Sequence, residues 1–252
     1  MIMNSYYENL LSPAERTAYR DIARGLADCE KQFQTTRFDM KRLGEIFSMV
    51  RLDDPMIFHA DSLNFSYVDG SSKVTVKPVY TMMKQEYEDT CSVIAKRLKK
   101  IFVGVMDFCD VERERFVHDY IVRNVRYDRP TKQYSHEITG PLCHGIGVCE
   151  GMAKTFKLLC NEAGIESVVV TGIGVPPDES TGKKSERHAW NVVFIDDAAY
   201  AVDVTFDATL SAYGRIRYDY FNVTDEVMAR SHGDTDFPAP ACTAMFREGD
   251  EC

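Results

Sequence analysis

The sequence is poor in the features that mark membrane, exported and nucleic-acid-binding proteins. No apolar run approaches the length of about 20 residues that is needed to cross a bilayer. The first residues have neither the basic stretch nor the apolar stretch of a secretory signal. The formal net charge is −9, whereas binding to phosphates requires clustered lysine and arginine. We therefore expect a cytoplasmic protein with no membrane partner and no nucleic-acid partner.

Paired-cysteine motifs are also absent. The eight cysteines are scattered without a CxxC pair, and most lie in apolar-periodic segments, where cysteine acts as a small hydrophobic residue. Without an export signal we expect reduced thiols. The Cys143-His144 pair matches no common zinc-finger spacing with His136 or Cys149, and no EF-hand pattern is present. The sequence thus predicts neither a metal nor a cofactor.

The order of the predicted elements indicates an α+β fold, with helices first and a helix packed on strands afterwards. Helices are predicted over residues 12–29, 39–51, 84–103, 110–125 and 149–163. Alternation around Asp69-Gly70 predicts a β-hairpin at about 63–80, with Pro78 at an edge strand or strand end. Further strands are predicted over residues 166–172, 187–195, 199–206 and 218–221. We expect a mainly helical N-terminal extension with this hairpin over residues 1–110 and a second domain over residues 111–252.

Cys149 begins the last of these helices, within residues 147–153 (GVCEGMA). A helix N-terminus exposes unpaired backbone N–H groups and a partial positive charge, which favour a thiolate and offer donors to an oxyanion. We expect Gly147 and Gly151 to give a substrate backbone close access to the sulfur. Taken alone, a cysteine in such a position is more often a buried structural residue than a nucleophile.

His188 and Asp203 change that balance. Residues 195–198 (IDDA) predict a two-residue hairpin turn, which pairs residue 188 with 205 or, one residue earlier, with 203. Either register places His188 and Asp203 on one face of the sheet. A carboxylate in an apolar strand is costly unless it is paired, and the imidazole supplies a partner. A core histidine and a turn-capping acid are the structural alternatives. We expect Trp190, the only tryptophan, on the opposite face of the strand.

Three motifs in this chain order resemble the transglutaminase-like superfamily, which groups transglutaminases, microbial cysteine proteases and peptide N-glycanases. They are residues 147–153 (GVCEGMA), 188–193 (HAWNVV) and 200–207 (YAVDVTFD). With the lead-in at 140–142, the likeness covers residues 115–210. The resemblance implies a papain-like core in which the cysteine helix packs on an antiparallel sheet. It also implies Cys149 as nucleophile, His188 as base and acid, and Asp203 as orienting carboxylate.

Members of this superfamily commonly place a glutamine, tryptophan or tyrosine upstream of the nucleophile as an oxyanion donor. Here the candidates are Tyr134 and His136, with Thr139 nearer to the cysteine, and the sequence does not choose among them. We interpret His118 as a structural residue of its helix. We expect Asp207 to support the end of the Asp203 strand through local backbone hydrogen bonds.

The leading hypothesis is a transglutaminase-like cysteine hydrolase or acyltransferase that acts on a protein or peptide. Cys149 would form a thioester from a peptide amide or a glutamine carboxamide, and water or an amine would then take the acyl group. One alternative is a catalytically silent binding or scaffold module that keeps the fold. Another is that the N-terminal half covers the cleft and regulates it.

Overall fold

The structure is a computed structural model that describes residues 5–177, 184–211 and 214–244. The chain divides into two units, Met1–Val93 and Ile94–Cys252, and the division falls inside the helix Lys84–Ile101. The boundary expected at residues 110 and 111 from the sequence stays a prediction. Each unit has its own sheet and its own buried core.

The first unit packs helices on a three-stranded antiparallel sheet. Its elements are α1 (Tyr6–Asn9), α2 (Pro13–Ala27), β1 (Phe33–Thr36), α3 (Met40–Asp53), β2 (Ala60–Tyr67), β3 (Lys73–Tyr80) and the start of α4 (Lys84–Ile101). The Ser12 and Glu15 side chains form the capping box at the start of α2, as the sequence predicts. The buried carboxylate of Asp53 accepts hydrogen bonds from the Tyr7 N–H (3.0 Å) and the Tyr19 hydroxyl (2.9 Å), which fastens α3 to α1 and α2.

The predicted hairpin is present, but its second strand is not an edge strand. The strand order is β1-β3-β2, so β3 is central, and the short strand β1 was not predicted. Pro78 lies beyond residues 73–76, which pair with β1, and pairs only with Leu63 of β2. At Pro78, β3 is paired with only one strand, so a residue without a backbone N–H is tolerated.

The second unit is built around α6. Its elements are α5 (Asp110–Asn124), β4 (Arg126–Tyr127), a 3₁₀ turn (Gln133–His136), a π-helical turn (Gly140–His144), β5 (Ile146–Gly147), α6 (Cys149–Glu162), β6 (Glu166–Gly174), β7 (Glu186–Ile195), β8 (Ala198–Val202), α7 (Val204–Leu210), α8 (Asp225–Met228) and β9 (His232–Thr235). Strands β8-β7-β6-β9 form an antiparallel sheet, and α6 packs on β6 and β7. The α+β class is therefore confirmed.

Helix α6 is enclosed on all sides. Every residue from Gly151 to Cys160 is buried, although the sequence predicted only an apolar stripe. Two lysines lie among them. The Lys154 ammonium pairs with Glu137 (3.0 Å) and Glu150 (2.7 Å), and the Lys157 ammonium donates to the Ser167 carbonyl. Buried cations require such partners, so these contacts allow α6 to be central.

Two strand predictions in the second unit are wrong. The strand predicted over 199–206 ends at Val202, because the Asp203 carboxylate accepts from the N–H groups of Thr205 and Phe206 and begins α7. Residues 218–221 form turns rather than a strand, and a single bridge joins Ala201 to Val223 nearby. The strand β9 was not predicted.

The cysteines agree only in part with the expectation of reduced thiols. Free thiols are found at Cys29, Cys91, Cys143, Cys149, Cys160 and Cys242. Cys109 is disulfide-bonded, which contradicts the expectation for that residue.

Across the described ranges, none of the helices combines the length and the apolar character required to span a membrane.

Candidate active site

Cys149 is the first residue of α6, and a short parallel strand pair holds the chain in front of it. Arg126 and Tyr127 of β4 pair with Ile146 and Gly147 of β5. The Val148 N–H then donates to the Ser135 carbonyl (3.0 Å). The N-cap residue Val148 makes no side-chain hydrogen bond to the helix. The partly exposed sulfur therefore lies at a helix end with backbone donors available.

The two glycines around Cys149 are required by packing, and the substrate access expected from the sequence stays a prediction. A Cβ on Gly151 would lie 2.2 Å from the Ser135 carbonyl oxygen, so glycine is needed where the 3₁₀ turn crosses α6. A Cβ on Gly147 would lie 2.9 Å from Cγ of Pro141. Both glycines let neighbouring backbone and proline approach the helix start closely.

His188 lies on β7 and is held between an aromatic ring and a glycine. Its imidazole stacks on the Phe206 ring at 4.3 Å between centroids, and only 9% of the residue is exposed. A Cβ on Gly174 of the neighbouring strand would lie 2.8 Å from the imidazole. The Nε2 atom contacts Asp203, which leaves Nδ1 for the hydrogen bond with the Cys149 side chain.

Asp203 is fully buried and accepts four hydrogen bonds. Oδ2 accepts from Nε2 of His188 (2.6 Å) and Nε2 of His232 (3.0 Å), while Oδ1 accepts from the N–H groups of Thr205 and Phe206 (3.0 Å each). Burial alone would raise its pKa, but the charge of His188 and these hydrogen bonds hold the pKa far below the usual range. The carboxylate is therefore ionised and fixed in orientation.

The same contacts act on His188 in the opposite direction. Burial would lower its pKa, but the Asp203 charge and hydrogen bond, together with the interaction with Cys149, raise the pKa to about 10. We therefore infer that His188 is an imidazolium at neutral pH beside the Cys149 sulfur. Such a cation stabilises a neighbouring thiolate.

The hairpin turn follows the first of the two predicted registers. Asp196 and Asp197 form the two-residue turn with φ of 48° and 64°, and the last strand pair is Asn191 with Val202. Asp203 then leaves the strand and still reaches His188. The prediction for Trp190 is wrong, because residues two apart share a face, and its ring stacks with His188 at 6.1 Å.

His232 is a site residue that the sequence reasoning missed. It lies on β9, is 9% exposed, and packs its ring edge-to-face with Trp190 at 4.8 Å. Its position, 29 residues after Asp203, gives no local pattern that would have revealed the contact. Among the described residues, His188, Asp203 and His232 are the one group whose donor atoms are close enough for a metal ion. Both imidazole Nε2 atoms instead meet the same oxygen at hydrogen-bond distance.

The proposed oxyanion donors lie in other contacts. The Tyr134 ring packs against His144 at 4.3 Å between centroids, and Nδ1 of His136 lies 3.5 Å from Glu150. Thr139 is buried ahead of the π-helical turn. A different tyrosine, Tyr127 of β4, interacts electrostatically with Cys149. Burial and, to a smaller extent, the charge of Cys149 raise the pKa of the Tyr127 hydroxyl to about 12.

A cleft of about 380 Å³ opens beside His188. It is lined by Tyr127, Arg129, Thr131, Gly174, Pro176, Glu186, Arg187, His188, Thr205, Phe206 and Thr209. Among its charged groups, Arg187 pairs with Asp236 at 2.6 Å. The base is thus reached through a cleft that polar and charged side chains line together with apolar groups such as Pro176 and Phe206.

The position of Asp207 contradicts the expectation that this residue supports the end of the Asp203 strand. It lies in α7, where Oδ2 accepts from Nε2 of His118 (3.0 Å) and Oδ1 from the Tyr220 N–H (3.1 Å). His118 and Asp207 are both fully buried, so the structural interpretation of His118 is confirmed.

Comparisons with known proteins identify a family for part of the chain. A family model described as the transglutaminase-like superfamily matches residues 104–204. The chain is 27% identical over 127 residues to the kyphoscoliosis peptidase of Mus musculus, across 46% of this chain and 19% of that protein. It therefore spans about a fifth of the length of that relative. A solved transglutaminase (TGase) structure is 12% identical with a TM-score of 0.41, covering 74% of this chain and 52% of the other.

Proposed function

Because the chain carries a domain of the transglutaminase-like superfamily, we propose that it is a thiol enzyme that transfers the acyl group of an amide through a thioester on Cys149. The observation that supports this most is the buried 2.6 Å contact between His188 and Asp203. It leaves the second imidazole nitrogen to the sulfur at the start of α6. Together these groups provide a nucleophile, an acid–base group and an orienting carboxylate.

In the first half of the reaction, the Cys149 thiolate attacks the amide carbonyl carbon. The carbonyl oxygen takes up the negative charge of the tetrahedral intermediate. The Nδ1–H of His188 then protonates the leaving nitrogen, the C–N bond breaks and a thioester remains. Asp203 stays ionised throughout and holds the imidazole in the tautomer that this transfer needs.

In the second half, the neutral His188 takes a proton from water or from an amine as that nucleophile attacks the thioester. The C–S bond breaks, and the thiolate and imidazolium are restored. Water gives hydrolysis and an amine gives transamidation, so both outcomes use the same groups. The cleft beside His188 would hold the peptide or the glutamine side chain that delivers the carbonyl.

We assign the oxyanion to the backbone N–H groups at the start of α6 and to the hydroxyl of Tyr127. Tyr127 lines the cleft together with His188, and its hydroxyl, which keeps its proton at neutral pH, can donate to an oxyanion. Tyr127→Phe should lower kcat by roughly 100-fold, the cost typical of losing one such donor. Tyr134→Phe is the matched control, and a large loss there with none at Tyr127 would move the assignment.

The function is tested by incubating the protein with a peptide library, with and without a primary amine, and reading masses. Cleavage, deamidation or amine incorporation that disappears in Cys149→Ala supports the proposal. The rival hypothesis of a silent scaffold is tested by alkylation with iodoacetamide at graded pH. Slow, uniform alkylation of all thiols together with no product in the library would support the scaffold instead.

A further inference from the structure

Two histidines share one oxygen of Asp203. Oδ2 accepts from Nε2 of His188 at 2.6 Å and from Nε2 of His232 at 3.0 Å, and the two rings lie 5.4 Å apart between centroids. Since Asp203 is ionised, each Nε2 must carry a proton. The contact with His188 is explained by the proposed chemistry. The contact with His232 is not used by any step of it.

The second ring nitrogen of His232, Nδ1, also lies beside hydrogen-bonding groups. Nδ1 lies 3.1 Å from the Ser231 hydroxyl and 3.3 Å from the Met228 carbonyl. The serine hydroxyl can donate to a bare Nδ1 or accept from Nδ1–H, and the Met228 carbonyl can accept from Nδ1–H, so both partners are compatible with a proton on Nε2. Trp190, Phe206 and Tyr220 surround the ring at 4.8, 5.0 and 5.8 Å between centroids. The titratable groups that face it are therefore His188, Asp203 and Tyr220.

Resting on the proposed function, we propose that His232 is a positioning residue for the acyl transfer, which orients the Asp203 carboxylate and reduces the share of its charge that reaches His188. A hydrogen bond from a second donor withdraws electron density from the oxygen that His188 contacts. The His188 proton is then bound less tightly than it would be with the undivided carboxylate. This makes the imidazolium a better acid toward the leaving nitrogen.

The geometry favours this role over simple filling of space. A ring that only filled the core would not need its Nε2 on the catalytic carboxylate and its Nδ1 on a hydroxyl. The Asp203 side chain is already held at Oδ1 by the N–H groups of Thr205 and Phe206. His232 therefore adds a contact to the one oxygen that controls His188, and not to the oxygen that caps α7.

The test compares His232→Met with His232→Gln in the full chain. Both replacements are unbranched and similar in size, but only glutamine can donate an N–H to Asp203. We expect kcat to fall roughly 10-fold in His232→Met, as for the loss of one hydrogen bond to a charged group, with KM unchanged. His232→Gln should recover most of this loss.

Ring-nitrogen NMR titration supplies a readout that does not depend on turnover. The pKa of His188 should rise in His232→Met and return toward the wild-type value in His232→Gln, with the signal assigned through His188→Gln. If His232→Met does not fold, Ser231→Ala, which removes the partner of Nδ1, should shift the pKa in the same direction by less.

Equal rates and equal His188 titrations in the methionine and glutamine variants would overturn the role of His232. A wild-type protein that transforms no amide at all would instead remove the proposed function. In that case the titration would still decide whether His232 acts on His188 through Asp203.

Discussion

Two carboxylates lie one turn apart, Asp203 at the N-cap of α7 and Asp207 within the helix, and each holds a histidine, but the two pairs differ in what the histidine can do. His188 gives Nε2 to Asp203 and keeps Nδ1 for Cys149 beside an open cleft. His118 gives Nε2 to Asp207 (3.0 Å) and Nδ1 to Asp119 (3.3 Å), with no exposed surface. A histidine whose nitrogens are both tied to carboxylates has no free site for proton transfer. The third partner of the histidine, and not the His–Asp pair, therefore distinguishes the proposed active site from the structural pair.

The largest expected effect is on activity and separates the two carboxylates directly. Asp203→Asn should lower kcat by roughly 10,000-fold, because the amide N–H groups that replace Oδ2 oppose Nε2–H of His188 and favour the wrong tautomer. Asp207→Asn should leave kcat per folded molecule within the same order of magnitude, since Asp207 contacts no reacting group. Steady-state kinetics on both variants decide the matter. Comparable losses in the two would show that the pairs are not functionally distinct.

The second prediction concerns the stability supplied by the sealed pair. His118→Phe keeps a ring beside Tyr218 and Phe221 but leaves the buried Oδ2 of Asp207 without its donor, whereas Asp119 still accepts from Arg123 and Tyr218. Breaking a buried pair in this way should cost about 3–5 kcal/mol of unfolding free energy. Adding Asp207→Asn should restore part of it. Denaturant unfolding followed by Trp190 fluorescence reports on this unit, because Trp190 is the only tryptophan in the chain.

The sealed pair also sets a pH dependence. Burial would lower the pKa of His118, but its hydrogen bonds to Asp119 and Asp207 raise it above 6.5. Its contribution to stability is therefore complete below about pH 6.5 and is lost as the pH rises through the raised pKa. Wild-type protein should lose more stability than His118→Phe over that rise. An identical pH profile for the two would contradict the assignment of a charged His118.

The smallest effect is expected at Glu114, which lies near the sealed pair. It is fully buried, accepts from the Asn222 amide at 2.7 Å, and burial raises its pKa to about 8. A carboxyl with a raised pKa stabilises the fold below its ordinary value of 4.5, and that stabilisation is lost as the pH rises toward 8. Glu114→Gln should be at least as stable as wild type near pH 8 and should flatten the profile. A large loss of stability at every pH would show that the carboxylate form is needed.

Much of the candidate site could be predicted from sequence because its parts carry local signals. The helix start at Cys149, the strand of His188 and the two-residue turn at Asp196-Asp197 each follow from patterns within ten residues. The turn also fixes the register that brings residues 188 and 203 near each other. These are short-range constraints, and the helix start, the strand and the turn are all present in the structure.

The remaining features depend on contacts that no local pattern encodes. Apolar and polar residues alternate over 200–207 as in a strand. The strand nevertheless ends before Asp203, because the Asp203 carboxylate accepts hydrogen bonds from the N–H groups of Thr205 and Phe206. His232 and Tyr127 reach the site through β9 and β4, strands of four and two residues. Elements this short have no detectable periodicity. Their positions are set by the sheet and the parallel pair that they join.

The enclosure of α6 has a consequence for how a substrate must be received. A helix surrounded by packed side chains, with two lysines anchored beneath its first turns, cannot swing toward an incoming molecule. In the proposed reaction the sulfur is thus a stationary target, and the acyl donor has to travel to it. Any discrimination between donors would then arise in the cleft beside His188, which Arg129, Pro176 and Glu186 help to line.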